Sequence, residues 1–310
     1  MGAEANVEGH DALIRLYHRI KEYKSWTLSS DVLQEFGIQA FQVEISDGHS
    51  LHFNPCFFRP YPKKLHHLLH LAELDDYKRG RNPGPPNFDG IFKKAQEDFL
   101  NGDYLKIANR NYVSATKRWA KREEDAEWRA RESFDYIEHQ LDTTPEGQPW
   151  YFKLRSLGNL EFWDPRKRPE DPTLMQLPSE GLEWTVIDTY RYYAEGSPKP
   201  HTICANVADV YATDADTALT LHEVQAIVNL MVIRITHKPF RECHIHPILV
   251  LSYMGPHHGR IIQASYDGER LTVQYSQLWS FEDEERALTE LFIRYNLSRP
   301  VGLQQVLSIR

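Results

Sequence analysis

The chain has 310 residues, 41% of them hydrophobic and 26% charged, with a net charge of −8. That balance belongs to a globular protein and excludes wholesale disorder. The acidity argues against a general nucleic-acid binder, because affinity for phosphate needs clustered cations. Three cysteines, Cys56, Cys204 and Cys243, are few and far apart, so no disulfide framework follows and a reducing compartment is expected. The polar, acidic start MGAEANVEGHD does not read as a secretory signal. The longest mostly apolar run, AIVNLMVIRI, is about half the length a bilayer-spanning helix needs. The resulting expectation is a cytoplasmic or nuclear protein, neither secreted nor membrane-bound.

In chain order, residues 10–24 predict a helix, with Leu13, Ile14, Tyr17 and Ile20 at helical spacing. The segments 41–46 and 50–58 flank Asp47-Gly48, a hairpin dipeptide, and predict a β-hairpin. Residues 63–74 (KKLHHLLHLAEL) predict an amphipathic helix, and Gly and Pro mark 78–90 as a loop. Helices are expected at 91–108 and 112–141. The second is long and charged, with Trp119, Trp128, Phe134 and Ile137 as anchors. It is the natural handle for a protein partner. Six prolines between 142 and 182 predict a long surface crossing. Strands follow at 183–195 and 201–213.

The last third is the most ordered in pattern. Residues 217–235 predict a helix, and 246–255, 258–267 and 270–281 predict three strands with a turn at 255–257. Residues 282–297 predict a closing helix. PILVLSYM is nearly continuous in apolar residues, as a strand buried on both faces would be. GRIIQASYD alternates less cleanly and is expected nearer an edge. These elements give an α+β fold, a mixed or antiparallel sheet with helices packed on it. One composite domain over 1–310 is expected. Residues 1–141 would form a hairpin plus helical layer, 142–182 the crossing, and 183–310 an α/β core.

The order helix, three strands, helix over 215–296 resembles the core of the PD-(D/E)XK nucleases. The resemblance implies a metal site built from a helix glutamate and strand carboxylates, with a lysine beside them. Glu223 occupies the helix position and Asp267 ends the second strand. The third strand, RLTVQYSQL, carries no acid-x-lysine, and no lysine follows Lys238. Arg260 or Arg270 could supply a cation, but an arginine does not serve as a base. A degenerate, non-cutting module is the expectation on that side. The phrasing HPILVLSYMGPHHGRIIQASYDGERL also resembles a block in uncharacterised fungal proteins. That resemblance implies a protein of fungal, secondary metabolism and carries over no catalytic residues.

Fifteen histidines raise the question of metal. His66, His70 and Glu73 share one helical face, beside an apolar stripe. His244 and His246 would share a strand face, with Cys243 opposite. With a turn at 255–257, His258 faces Met254 and His246 faces Tyr266, so the two histidines lie too far apart to share an ion. No nucleophile elbow, P-loop or dinucleotide fingerprint is present, and nothing names a cofactor. The candidate site residues are His246, as an acid–base group titrating near neutrality, with the carboxylates Glu223 and Asp267. Aromatics make up 12% of the chain, enough for a ring-lined pocket. Three functions follow: a small-molecule enzyme or binding protein, a degenerate nuclease-like module, or a scaffold acting through 112–141.

Overall fold

The computed structural model describes residues 2–46, 50–62, 126–142, 155, 160–162, 184–194, 197–212, 217–236, 240, 243–255, 257–281 and 289–302. The elements expected at 63–74, 78–90 and 91–108, the first part of 112–141 and most of 142–182 lie outside them. His66, His70 and Glu73 therefore lie outside as well.

The described helices are α1 (Gly2–Glu22), α2 (Ser30–Glu35), α3 (Ala126–Leu141), α4 (Leu221–Thr236) and α5 (Thr289–Asn296). The strands are β1 (Thr27–Leu28), β2 (Ile38–Val43), β3 (Phe58–Arg59), β4 (Leu160–Phe162), β5 (Trp184–Ala194), β6 (Ser197–Tyr211), β7 (Leu219–Thr220), β8 (His246–Gly255), β9 (His258–Tyr266), β10 (Leu271–Ser276), β11 (Trp279–Ser280) and β12 (Arg299–Pro300). Helices and a mixed sheet together make the fold α+β, as the sequence leads one to expect.

The large sheet runs β2-β10-β9-β8-β6-β5-β4, with β11 also beside β9. The pairs β6–β8 and β10–β2 are parallel, and the remaining pairs in this sheet are antiparallel. Strand β8 lies at its centre and every one of its residues is buried. That burial is the physical reason for its unbroken apolar run. Strand β9 stands one place nearer the edge, yet β10 and β2 still cover it. Only Ala264's neighbour Ser265 escapes full burial along it.

The turn between β8 and β9 falls where the sequence places it. His257 takes a positive φ of 81° there, and the chain reverses so that Met254 pairs with His258 and His246 with Tyr266. Gly259 permits a close approach. A Cβ at that position would meet the Phe281 ring at 2.8 Å and the Ser252 carbonyl oxygen at 2.9 Å.

The expected hairpin around Asp47-Gly48 takes a different form. Its first arm joins the large sheet as β2, parallel to β10. Beyond β2 the two arms are tied by the bridge Ile45–Leu51, with the Ser46 N–H donating to the Ser50 carbonyl at 2.7 Å and the His52 N–H to the Glu44 carbonyl at 3.0 Å. A strand beside β10 buries Ile38 against the common core, which an isolated two-stranded ribbon could not do.

Alternation along the strands divides the interior in two. One face carries Cys204, Ala208, Ile248, Val250, Met254, Ile262, Ala264 and Val273, packed under α1, α2 and α4. The other carries Ile203, Ala205, Val207, Leu249, Leu251, Tyr253 and Ile261, packed under α3 and α5. The result is helix, sheet, helix. Helix α4 is apolar almost all round and buried from Leu221 to Ile235 except at Gln225, as a helix enclosed by both α1 and the sheet must be. In α3, Ala130, Phe134, Ile137 and Leu141 are buried, so the described half of the long charged helix turns its apolar stripe inward.

Candidate functional site: a buried polar row beneath the start of α4

Three strands place polar residues on the α4 face where the pattern calls for apolar ones. Asn206 on β6 pairs with Ser252 on β8, and Ser252 pairs with Arg260 on β9. Residues directly paired across a sheet share a face. The three therefore form one row across about 10 Å, two interstrand spacings. The rows on either side are Cys204–Val250–Ile262 and Ala208–Met254–His258. Exposure is 0% at Asn206, 0% at Ser252 and 1% at Arg260.

Helix α4 brings a carboxylate onto this row. Thr220 and Glu223 form a reciprocal capping box at the start of the helix. The Glu223 N–H donates to Thr220 Oγ1 at 3.2 Å, and the Thr220 N–H donates to Glu223 Oε2 at 2.8 Å. The Leu221 N–H donates to the Trp26 carbonyl at 2.8 Å, and β1 pairs with β7 to hold the entry strand. Glu223 is thus fixed by its own backbone partners before it meets anything else. Its Oε1 lies 3.0 Å from Arg260 Nε, with both side chains buried. Arg260 Nη2 donates to the Ala218 carbonyl at 3.1 Å. The guanidinium carbon sits 5.9 Å from the centre of the Tyr275 ring, and Tyr275 is half-buried at the rim. Burial raises the Tyr275 phenol above its usual range; Arg260 opposes that shift and Glu223 adds to it.

Several atoms of the row have no hydrogen-bond partner: Asn206 Nδ2 and Oδ1, Ser252 Oγ and Arg260 Nη1. Each buried, unpaired polar group costs about 1–3 kcal/mol. Together they would consume several kcal/mol, a large part of an ordinary domain's stability. Such a cluster calls for an explanation other than packing.

The three residues singled out in the sequence do not come together. Glu223 belongs to this row. His246 faces Tyr266 at the far end of β9, six positions from Arg260, or about 20 Å. Asp267 follows Tyr266 and is exposed, where its Oδ1 accepts from the N–H of Glu269 at 3.0 Å and of Arg270 at 2.7 Å. That is the work of a turn-forming aspartate. Burial, then the Arg234 and His10 charges, lower His246 to about 4. It is neutral at physiological pH rather than poised to exchange a proton. Tyr266 donates to the carbonyls of Gly9 at 2.7 Å and Gly268 at 2.9 Å. Burial first, then Asp267, raise its phenol to about 12. His244 and His246 do not share a strand face: β8 begins only at His246, which is buried, while His244 is exposed.

His222, next to Glu223, turns away from the row and meets Trp26 edge-on at 5.4 Å between ring centres. Burial lowers it to about 4. Among the described residues no three His, Cys, Asp or Glu side chains are grouped as metal ligands would be, and no described helix is long and apolar enough to cross a membrane.

Asn206 and Ser252 escape the sequence reading because each stands singly within a short apolar run, ICANVA on β6 and ILVLSYM on β8. The signal was there: ICANVA and LVLSYM each put one polar residue on an inward position. The threonine three residues before Glu223 was the second clue, since that spacing marks a carboxylate already engaged in capping. Comparison of the chain with protein-family models, with curated proteins and with solved structures finds no match.

Proposed function

We propose that this protein binds a small molecule at the row Asn206–Ser252–Arg260, with Tyr275 at the rim. The observation that carries this reading is the set of unpartnered polar atoms on three adjacent strands, all facing one way. A site built to hydrogen-bond a ligand leaves its groups unpaired without it and gains stability when they are satisfied. The row also stands on central strands, where a site is held more rigidly than on loops. A melting screen of polar metabolites tests it. Binders should raise the melting temperature of the full chain and lose that effect in Ser252→Ala. A screen in which no compound separates the two proteins sinks the reading.

The Glu223–Arg260 pair favours a second reading, a nuclease-like module that does not cut. A guanidinium sits against the helix carboxylate where the nuclease resemblance implies a metal, and Asp267 lies at the opposite end of β9. Magnesium with duplex or single-stranded DNA should give no cleavage by the unmodified protein. Cleavage that Glu223→Gln abolishes would revive the catalytic version.

A further inference from the structure

We infer that the ligand of this row is uncharged and carries a carbonyl beside an N–H, the edge of a carboxamide, lactam or ureide; the inference rests on the row being a binding site. Charge is the first argument. Glu223 and Arg260 are in contact at 3.0 Å and both are buried, so their formal charges cancel. A bound anion would face Glu223 Oε1, and among the described residues Arg260 is the one cation paired with that carboxylate. A bound cation would face Arg260, whose charge is already opposed by a single carboxylate. In a poorly solvated site either uncompensated charge is costly, whereas a neutral polar group is not.

The unpaired atoms supply the second argument. Arg260 Nη1 is a donor only, so it calls for a carbonyl oxygen. Asn206 presents a donor, Nδ2, and an acceptor, Oδ1, side by side, and both lack partners. A simple ether, ester or ketone leaves Asn206 Oδ1 unsatisfied. An alcohol must donate and accept through a single oxygen, so it does not match the side-by-side donor and acceptor of Asn206. An amide edge offers an oxygen with two lone pairs and an N–H at the matching separation. Its oxygen takes Arg260 Nη1 and either Ser252 Oγ or Asn206 Nδ2, and its N–H goes to Asn206 Oδ1. The contacts of Arg260 Nε with Glu223 and of Nη2 with the Ala218 carbonyl then act as a positioning device that holds the guanidinium and leaves Nη1 for the ligand.

Acetamide, acetate and acetamidinium share one shape and differ in charge and in donors, so they isolate the argument. Each is titrated against the full chain at matched ionic strength, with melting temperature as the readout. Acetamide should raise it with the logarithm of concentration. Ser252→Ala and Asn206→Leu should each weaken that response at least tenfold, while Gln263→Leu, on the opposite face, should keep it. A larger response to acetate or acetamidinium overturns the neutral-amide assignment and leaves the row standing as a binding site. Equal responses in wild type and both row variants, or no response to acetamide, overturn the assignment as well. The broader metabolite screen then decides separately whether the row binds anything.

Discussion

Two clusters of buried polar side chains, one on each face of the central sheet, are handled in opposite ways. On the α3/α5 face, Gln263 and Gln274 stand opposite each other on β9 and β10, both buried. Gln263 Oε1 accepts from the Phe57 N–H at 2.8 Å and its Nε2 donates to the Pro55 carbonyl at 2.8 Å. Gln274 Oε1 accepts from the Asn54 N–H at 2.6 Å. Nearby, Ser276 Oγ accepts from the Ile261 N–H and donates to the Gln277 carbonyl. These side chains tie the segment 54–57 to the sheet and have their partners. On the α1/α4 face, Asn206, Ser252 and part of Arg260 have none. Unpaired atoms occur elsewhere on both faces, His201 Nδ1 and Thr202 Oγ1 among them; what sets the row apart is that three directly paired strands each contribute one, where the glutamine cluster is satisfied by the fold itself.

The largest expected effect is acid denaturation, and it fixes the conditions under which the faces can be compared. His222 on one side and His201 on the other are buried, and burial lowers them to about 4 and about 3; His246 is lowered to about 4 for the same first reason. Each folded value lies below the unfolded value of about 6.5. The unfolded chain therefore binds protons that the folded one refuses, and stability is full above pH 6.5 and falls as pH drops toward 4. A melting temperature that stays level from pH 7 to pH 4.5 would contradict the burial of all three.

Next in size is Arg260→Met, which strands Glu223 as a lone buried carboxylate and should cost about 3–5 kcal/mol in urea unfolding. Adding Glu223→Gln to it should recover part of that loss, with a coupling of about 1–3 kcal/mol. Purely additive losses would mean that the pair is not an energetic unit.

The sharpest test of the comparison is a matched pair. Gln263→Leu leaves the Phe57 N–H and the Pro55 carbonyl without partners and should cost about 1–3 kcal/mol. Asn206→Leu removes two unpaired atoms and orphans nothing, so its change should stay within about 1 kcal/mol and can be stabilising. Equal losses from the two would erase the distinction between the faces. Smallest of all, Asp267→Ala removes only an exposed turn acceptor and should cost about 0.5–1 kcal/mol.

What the sequence made legible was local. Helix α4, strands β8 and β9 and the turn at 255–257 follow from periodicity and turn chemistry, and with them the facing of His246 on Tyr266 and of His258 on Met254. What it did not reveal was pairing at long range. The parallel contact of β2 with β10 joins residues more than two hundred positions apart, and no local pattern encodes it. The polar row draws one residue from each of three strands, and its carboxylate from a helix. Each residue alone looks like a tolerated exception in an apolar run. Glu223 was singled out by the nuclease resemblance; its ion-pair partner is Arg260, the very arginine the sequence offers as a stand-in cation.

The seat of β2 beside β10 also bears on how the molecule is made. At about 5–20 residues per second of synthesis, β10 follows β2 out of the ribosome after an interval on the order of 10–50 s. Until then Phe41 and the backbone edge of this segment have no sheet to join. The chain must carry an early, strand-forming segment uncommitted through most of its own translation, and β12, pairing with β3 at Arg299 and Pro300, closes the last seam later still.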